Sequence, residues 1–293
     1  MRLRSRLAGG VSVLLLTAAA QTPVPTPAPV FELHRTAAAS HIDPATANPL
    51  FVLVIGSDVR EGDPARGRAD SLHIVAVNTV SGRGTIVGIP RDSYVPIPGR
   101  GTNKINASLF FGGPQLTAET VARLSGLPIH YWALVEFSRF RNLVDRLRGI
   151  DMDVPYAMSD DASGAHFPPG LRHMNGAEAL AFSRARKTVP GGDFGRSENQ
   201  GRLLLAATRK FKVDAADPFR LADYMLAFRD LVATDVPIRD LLHLGAIGRR
   251  LDPDGLRNVV LPGGGGSAGA ASVVFLAPGA SDIFNAIRDD AEL

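Results

Sequence analysis

The sequence predicts an α/β fold, a three-layer α/β/α sandwich around a mixed central β-sheet. Apolar runs rich in β-branched residues at 51–55 and 72–77 have the length and composition of buried strands. A Ser81-Gly82 turn joins the second run to residues 85–89 as a hairpin. Helical patterns then alternate with further apolar runs, and such alternation places helices on both faces of a sheet. Because hairpin strands are antiparallel, the sheet is expected to be mixed.

The middle of the chain continues this alternation. Residues 114–125 have a helical pattern that ends at Gly126, a residue suited to a helix C-terminus. Residues 131–137 are predicted to form a strand, residues 138–148 a helix and residues 150–154 another strand.

The last part of the chain is predicted to be mainly helical. Asn175-Gly-Ala-Glu178 has the pattern of a capping box, which places Arg184 and Arg186 at the end of the helix that it begins. Further helices are expected at 195–210, within 218–250 and at 282–287, and strands at 259–261 and 273–276. Residues 263–266 are all glycine but lack the Gly-Lys-Ser/Thr of a P-loop, so they are predicted to form a flexible turn.

The N-terminus has the pattern of an export signal. Arg2, Arg4 and Arg6 precede an apolar run at 7–20 that ends in three alanines. The run is short for a membrane span, so residues 1–20 are either a cleaved signal peptide or a short membrane anchor. Proline and alanine dominate residues 21–48, which are expected to be a linker. The folded domain is predicted to cover residues 49–293, outside the cytoplasm.

Composition excludes several classes of function. The 293 residues include no cysteine, which excludes disulfides, thiolate zinc sites, a cysteine nucleophile and a lipid anchor on cysteine. The formal net charge is +3, and subtracting the three arginines of residues 1–20 leaves zero. A neutral domain has no general attraction to nucleic acid, which argues against a DNA-binding regulator.

Acidic and basic residues cluster where the first two strands meet. Asp58 and Arg60 follow the first strand, and Arg68 and Asp70 precede the second. If the strands are neighbours, both carboxylates flank one end of the sheet, where ligands bind in open α/β folds. Two carboxylates suit Mg²⁺, which completes its shell with water and phosphate oxygens. The alternative is two ordinary turn aspartates.

Arginines form a second cluster. Arg184, Arg186 and Arg196 surround a Pro-Gly-Gly break and one carboxylate, Asp193. The planar guanidinium donates two parallel hydrogen bonds and therefore suits phosphate oxygens. The alternative is a solvated basic helix end. Arg91, which follows the third strand, is expected either at the same edge of the sheet or in a structural pair with Asp92.

In this order, the segments resemble the LytR-CpsA-Psr family. The resemblance is firm over residues 50–210. The motifs in this order are specific to the family, although each motif alone is weak evidence. The matching motifs are Gly56-Ser-Asp-Val-Arg60, Arg68-Ala-Asp-Ser71, Ile89-Pro-Arg-Asp92, Asn103-Lys-Ile-Asn106, Phe111-Gly-Gly-Pro114, Met174-Asn-Gly-Ala-Glu-Ala-Leu180, Arg184-Ala-Arg-Lys187 and Gly192-Asp-Phe-Gly-Arg196.

The resemblance implies a function and a set of site residues. The family fold has an apolar pocket for a polyprenyl chain, and the implied activity is transfer of a glycopolymer from a polyprenyl-pyrophosphate carrier to peptidoglycan through a phosphodiester link. Pyrophosphatase side activity and contact with the membrane surface are also expected. Asp58 and Asp70 would hold Mg²⁺. The residues implied around the pyrophosphate are Arg60, Arg68, Arg91, Arg184, Arg186, Arg196 and Gln200, with Asp193 as an orienting group. The alternative is a non-catalytic polyprenyl-phosphate-binding scaffold of wall assembly.

Overall fold

The computed structural model describes residues 47–59 and 63–293. The predictions for residues 1–20, most of the linker and Arg60 therefore lie outside the described residues. The strands are β1 (Leu50–Ser57), β2 (Ala69–Val77), β3 (Gly84–Gly88), β4 (Tyr94–Ile97), β5 (Gly101–Lys104), β6 (Tyr131–Glu136), β7 (Ile150–Val154), β8 (Met158–Asp160), β9 (Ala165–Phe167), β10 (Gly170–Met174), β11 (Ala233–Thr234), β12 (Leu256–Val260), β13 (Gly263–Ala268) and β14 (Ala271–Leu276). The helices are α1 (Ala107–Ser125), α2 (Phe137–Arg146), α3 (Gly176–Arg184), α4 (Asp193–Asp214), α5 (Pro218–Leu231), α6 (Ile238–Arg250) and α7 (Gly279–Ala286).

The central sheet is mixed, as the sequence predicts. Its strand order is β11-β6-β1-β2-β3-β12. β1, β2 and β3 are antiparallel neighbours, whereas β6 runs parallel to β1 and β12 runs parallel to β3. The predicted β2–β3 hairpin is confirmed, with Val77 opposite Gly84.

Helices cover both faces of the sheet. Phe51, Leu53 and Ile55 of β1 are at most 1% exposed and share one core with buried residues of α1 and α7. Val52 and Val54 alternate with them and lie on the opposite face, which α2, α4, α5 and α6 cover. The predicted α/β/α sandwich is confirmed. Val54 is only half-buried because its face borders a cavity, which is described below.

A second core supports the helix ends that carry the arginines. β7 pairs with β10 and β8 pairs with β9, and buried side chains such as Met152, Phe167 and Phe182 pack against α3 and α4. The predicted capping box is present, because Asn175 Oδ1 accepts from Glu178 N at 3.0 Å and Glu178 Oε2 accepts from Asn175 N at 3.0 Å. This cap fixes where α3 begins.

One loop prediction is wrong. The four glycines at 263–266 belong to β13, which pairs antiparallel with β14. Tertiary pairing overrides the low strand propensity of glycine, and the missing side chain leaves room for the Phe275 ring, which would lie 2.8 Å from a Cβ on Gly266.

Within residues 47–59 and 63–293, none of the helices is both long enough and apolar enough to cross a membrane.

Candidate functional site

Asp58 and Asp70 lie at the same end of the sheet. Ser57 is the register partner of Ala69, so Asp58, which follows β1, lies beside the start of β2, where Asp70 is the second residue. Two backbone contacts fix the loop end: Arg68 N donates to Asp58 Oδ1 at 2.8 Å, and Asp58 N donates to Arg68 O at 3.2 Å. β1 and β2 are neighbours, so the condition under which the two carboxylates were expected at one end of the sheet is met.

Arg91 joins this pair from the end of β3. Its Nη1 forms an ion pair with Asp70 Oδ1, whereas its Nε lies 3.9 Å from Asp92 Oδ2. Asp92 is closer to Lys104, whose Nζ lies 3.0 Å from its Oδ1. Burial alone would lower the pKa of Arg91, but the charges of Asp70 and two further carboxylates hold it above its ordinary value. Arg91 is thus primarily a partner of Asp70.

Asp193 joins the two arginines on either side of the Pro-Gly-Gly break. Its Oδ2 lies 3.0 Å from Arg186 Nη2, and its Oδ1 lies 2.8 Å from Arg196 Nη2. Gly191 and Gly192 have φ values of 79° and 57°, which favour glycine and let the chain fold back before α4. The two arginines therefore converge on a carboxylate of the protein itself.

Arg196 is the most buried of these arginines, with 7% of its surface exposed. Burial and the nearby positive charge of Arg91 lower its pKa, and Asp193 offsets part of that effect. A buried guanidinium without a carboxylate partner would be costly, so Asp193 is required for its placement.

Arg184 faces a different cavity from Arg186. Its guanidinium lies 4.9 Å from the centre of the Phe137 ring, a cation–π contact. Gln200 lies beside it, and its Nε2 donates to Ser183 O at 3.1 Å and to Asp70 O at 3.4 Å. Arg184 ends α3, whereas Arg186 lies two residues beyond the helix, so their side chains leave the backbone in different directions.

An apolar cavity of about 310 Å³ lies between the Val54 face of the sheet and α2, α4 and α5. Its walls are mainly aliphatic and aromatic, and polar or charged residues, among them Glu136, Arg184, Gln200 and Asp70, also line it. Among the apolar lining residues are Val54, Ala133, Val135, Phe140, Leu143, Leu203 and Phe228. The position of Val54 facing this cavity explains its partial exposure.

A polar cavity of about 490 Å³ contains most of the remaining charged residues. Its lining includes Asp58, Arg68, Arg91, Asp92, Lys104, Arg186 and Asp193. Asp70 lines the apolar cavity and Arg91 lines the polar one, so their ion pair lies at the boundary between the two. The arrangement suits an amphiphile with an apolar tail and an anionic head.

The two carboxylates fit a divalent cation only in combination with a ligand. Among residues 47–59 and 63–293, no group of three or more His, Cys, Asp or Glu side chains could hold a metal ion. Mg²⁺ is commonly held by one or two carboxylates plus substrate phosphate oxygens. Asp58 and Asp70 supply two carboxylates at one sheet edge, although one oxygen of each is already paired, with Arg68 N and with Arg91.

Sequence reasoning missed Glu136 and Phe137. Ser57 and Glu136 are register partners in the parallel pair of β1 and β6, so Glu136 belongs to the same sheet edge as Asp58. The rule applied to Asp58, that residues past parallel strand ends line a crevice, also identifies Glu136. Phe137 offered no such signal, because its contact with Arg184 depends on how α2 packs against α3.

His73 is a buried neutral histidine beneath the site. Its Nε2 donates to Ser197 O at 3.0 Å, which leaves Nδ1 to accept from Ser71 Oγ at 3.1 Å. Burial lowers its pKa to about 4. The ring therefore connects β2 to the first turn of α4, which carries Arg196.

A model of the LytR_cpsA_psr family matches residues 26–287. The chain belongs to this family. Its resemblance to the family over residues 50–210 thus extends through most of the tail as well.

Named relatives of the family agree with this assignment. The chain is 42% identical over 164 residues to the polyisoprenyl-teichoic acid–peptidoglycan teichoic acid transferase TagU of Bacillus subtilis (strain 168), an alignment that covers 56% of the chain and 52% of the relative. The chain thus spans about half the length of that relative in this alignment. The TagU of Bacillus cereus (strain AH820) is 30% identical over 253 residues, covering 84% of the chain and 80% of the relative. The crystal structure of B. subtilis TagV is similar with a TM-score of 0.72 and 26% identity, over 83% of this chain and 97% of that one.

Proposed function

We propose that this protein transfers a glycopolymer from a polyprenyl-pyrophosphate carrier to peptidoglycan and forms a phosphodiester link. One observation carries the proposal: an apolar cavity and an arginine-rich cavity meet at the Asp70–Arg91 ion pair. A carrier lipid has a long apolar chain joined to a pyrophosphate, and its two parts match the two cavities. Membership of the family and the names of the TagU relatives support the same conclusion.

The apolar cavity holds the first isoprene units of the carrier. Val54 and Ala133 of the sheet face Phe140 and Leu203 of the helices across it. Burial of hydrocarbon contributes about 25 cal/mol per Å² of apolar surface removed from water. At the end near Arg184 and Asp70, the chain would meet the site that holds its phosphates.

The arginines bind and neutralise the pyrophosphate. Arg68, Arg91 and Arg186 line the polar cavity, Arg184 stands at the end of the apolar one, and the family motif adds Arg60 and Arg196. Cations fixed in advance by Asp70 and Asp193 need little rearrangement when charge develops on the leaving phosphate. When bound, Mg²⁺ at Asp58 and Asp70 supplies further neutralisation of phosphate charge.

The reaction exchanges one phosphorus–oxygen bond for another. A hydroxyl oxygen of peptidoglycan bonds to the phosphorus that carries the glycan, and the bond from that phosphorus to the bridging oxygen breaks. The hydroxyl gives up its proton to solvent, and polyprenyl monophosphate leaves with the bridging oxygen and the electron pair of the broken bond. If water takes the place of the hydroxyl, the same site acts as a pyrophosphatase. Because the carrier resides in the membrane and the acceptor in the wall, the protein works at the outer face of the cytoplasmic membrane.

A transfer assay with purified full-length protein tests this proposal. The substrates are a polyprenyl-pyrophosphate-linked saccharide and peptidoglycan, with and without Mg²⁺, and mass spectrometry identifies the phosphodiester product. Asp58→Ala and Arg184→Ala are expected to be inactive, whereas Arg123→Ala, which removes an exposed ion pair on α1, keeps full activity.

Two results would overturn the proposal in different ways. Full activity in Asp58→Ala and Arg184→Ala would show that these residues do not form the active site. Tight lipid binding without turnover, even with Mg²⁺ and acceptor present, would favour the non-catalytic scaffold instead.

A further inference from the structure

A third cavity, of about 370 Å³, lies beside the polar cavity. It is lined by Arg68, Asn103, Lys104, Asn106, Ala107, Phe110, Phe111 and Ala271. It shares Arg68, Lys104 and Asn106 with the polar cavity, so the two adjoin. The proposed phosphate site thus continues into a second space, in which aromatic rings stand beside amide and cationic side chains.

Phe110 presents an aromatic ring to solvent in this cavity. The residue is 62% exposed, although most large apolar side chains of the described domain are buried. Its ring meets the Phe111 ring at a centroid distance of 5.9 Å and an interplanar angle of 63°. The Arg100 guanidinium lies 5.6 Å from the centre of the Phe111 ring, so Arg100 already covers Phe111 while Phe110 keeps most of its surface in water.

A backbone break follows directly after the two rings. Gly112 and Gly113 leave helical geometry directly after Phe111, and the main part of α1 restarts at Pro114. Gly113 has a φ of 66°, which favours glycine, and a Cβ on Gly112 would lie 2.7 Å from the Leu116 Cβ. The aromatic pair therefore ends a short helical turn and is not part of a continuous amphipathic face.

This combination of groups suits a sugar. One face of a pyranose ring is a patch of C–H groups that stacks on an aromatic ring, and its edge carries hydroxyls that pair with amides and cations. Asn103 supplies an amide, and Arg68 and Lys104 supply donors on the side that borders the phosphate site. A lipid chain would instead require apolar walls on every side.

We propose that the cavity around Phe110 and Phe111 is a saccharide-binding subsite, in which Phe110 stacks on a hexopyranose ring. Its place in the reaction rests on the proposed function. A sugar bound there has its hydroxyls next to Arg68 and Lys104, which also border the phosphate-binding cavity. Two sources could supply that sugar, the peptidoglycan acceptor and the first residues of the donor glycan.

Binding measurements on the full-length protein distinguish the two sources. The three probes are a soluble peptidoglycan oligosaccharide, a polyprenyl-pyrophosphate disaccharide and polyprenyl pyrophosphate without sugar. Phe110→Ala is expected to weaken binding of a sugar-bearing probe by roughly tenfold, while binding of the sugar-free lipid is unchanged. Phe110→Tyr retains the ring and should restore most of the affinity.

The controls separate recognition from folding and from the proposed function. Phe219→Ala removes an 84% exposed ring on α5, far along the chain from this cavity, and should change none of the affinities. If Phe110→Ala binds the free oligosaccharide more weakly, the peptidoglycan acceptor supplies the sugar. If it binds only the lipid-linked disaccharide more weakly, the donor glycan supplies the sugar. Unchanged affinity for both sugar-bearing probes overturns the inference. If the wild-type protein does not bind the sugar-free lipid, that result counts against the proposed function. The oligosaccharide measurement still tests the saccharide subsite in that case.

Discussion

Asp70 and Arg91 form an ion pair across the boundary between the apolar and the polar cavity. Asp70 is the second residue of β2 and Arg91 follows β3, and the antiparallel pairing of these strands brings the two residues to one sheet edge. Both side chains are mostly buried, so the pair is shielded from solvent screening. A carrier lipid that spans both cavities must pass this point.

Asp70→Asn is expected to reduce transfer by at least a hundredfold. The substitution keeps the shape of the side chain but removes the charge that holds Arg91 and one proposed ligand of Mg²⁺, and groups aimed at a developing phosphate charge have effects of this size. Initial rates at saturating donor measure it.

Asp92→Asn is the matched control for that variant. Asp92 is also near Arg91, but its closer partner is Lys104 at 3.0 Å. We expect Asp92→Asn to lose much less activity. Equal losses in the two variants would mean that the Asp70–Arg91 pair has no special role.

Asp193→Ala is expected to destabilise the fold and weaken phosphate binding. It leaves Arg196 buried without the carboxylate at 2.8 Å, and loss of one partner from a buried ion pair costs about 3 kcal/mol. Urea denaturation measures this loss. Asp254→Ala, which removes an exposed partner of Arg209, should change the free energy of unfolding by under about 1 kcal/mol. If Asp193→Ala were as stable as Asp254→Ala, the described Arg196 environment would be wrong.

Ala133→Trp tests whether the apolar cavity holds the carrier chain. Ala133 lies on β6 and lines the cavity, so an indole there fills space that the isoprene units would occupy. Affinity for polyprenyl pyrophosphate should fall at least tenfold, while affinity for inorganic pyrophosphate is unchanged. Ala222→Trp, on the exposed side of α5, is the control of equal size. Normal lipid affinity in Ala133→Trp would place the chain elsewhere.

Asp235 is expected to make the fold less stable at alkaline pH. Burial raises its pKa to about 7, although a hydrogen bond from Trp132 N at 2.8 Å opposes the shift. The folded state therefore keeps a proton that the unfolded state releases near pH 4. The stabilisation from this group is complete below that unfolded-state pKa and is lost as the pH rises through about 7.

Asp235→Asn isolates that effect, because an asparagine can still accept from Trp132 N without carrying charge. The variant should gain stability over the wild type as the pH rises from 4 to 8, by on the order of 3 kcal/mol. Chemical denaturation across this range measures the difference. A difference that is independent of pH would contradict the assigned pKa.

The sequence could predict the strands of this sheet edge and one of its pairings from local signals. Apolar runs identified β1 and β2, and one tight turn paired β2 with β3. The pairing of β1 with β2, which places Asp58 beside Asp70, was only a condition of the prediction, and the structure supplies it. The capping box likewise fixed the start of α3 from four residues. Such features depend on contacts close in sequence or on simple pairing rules.

The partners of the arginines could not be predicted in the same way. Arg184 and Arg186 are two residues apart, yet they border different cavities because α3 ends between them. Asp193 looked like a minor orienting residue, and only the folded-back Pro-Gly-Gly segment makes it the common partner of Arg186 and Arg196. These relationships depend on long-range packing, which leaves no periodic signal in the sequence.

A structure of the full-length protein bound to polyprenyl pyrophosphate and Mg²⁺ tests the central claim most directly. We predict the isoprene chain against Val54 and Leu203, with phosphate oxygens within hydrogen-bond distance of Arg91. A chain bound outside that cavity, or a pyrophosphate remote from Arg91 and Asp70, would contradict the proposal.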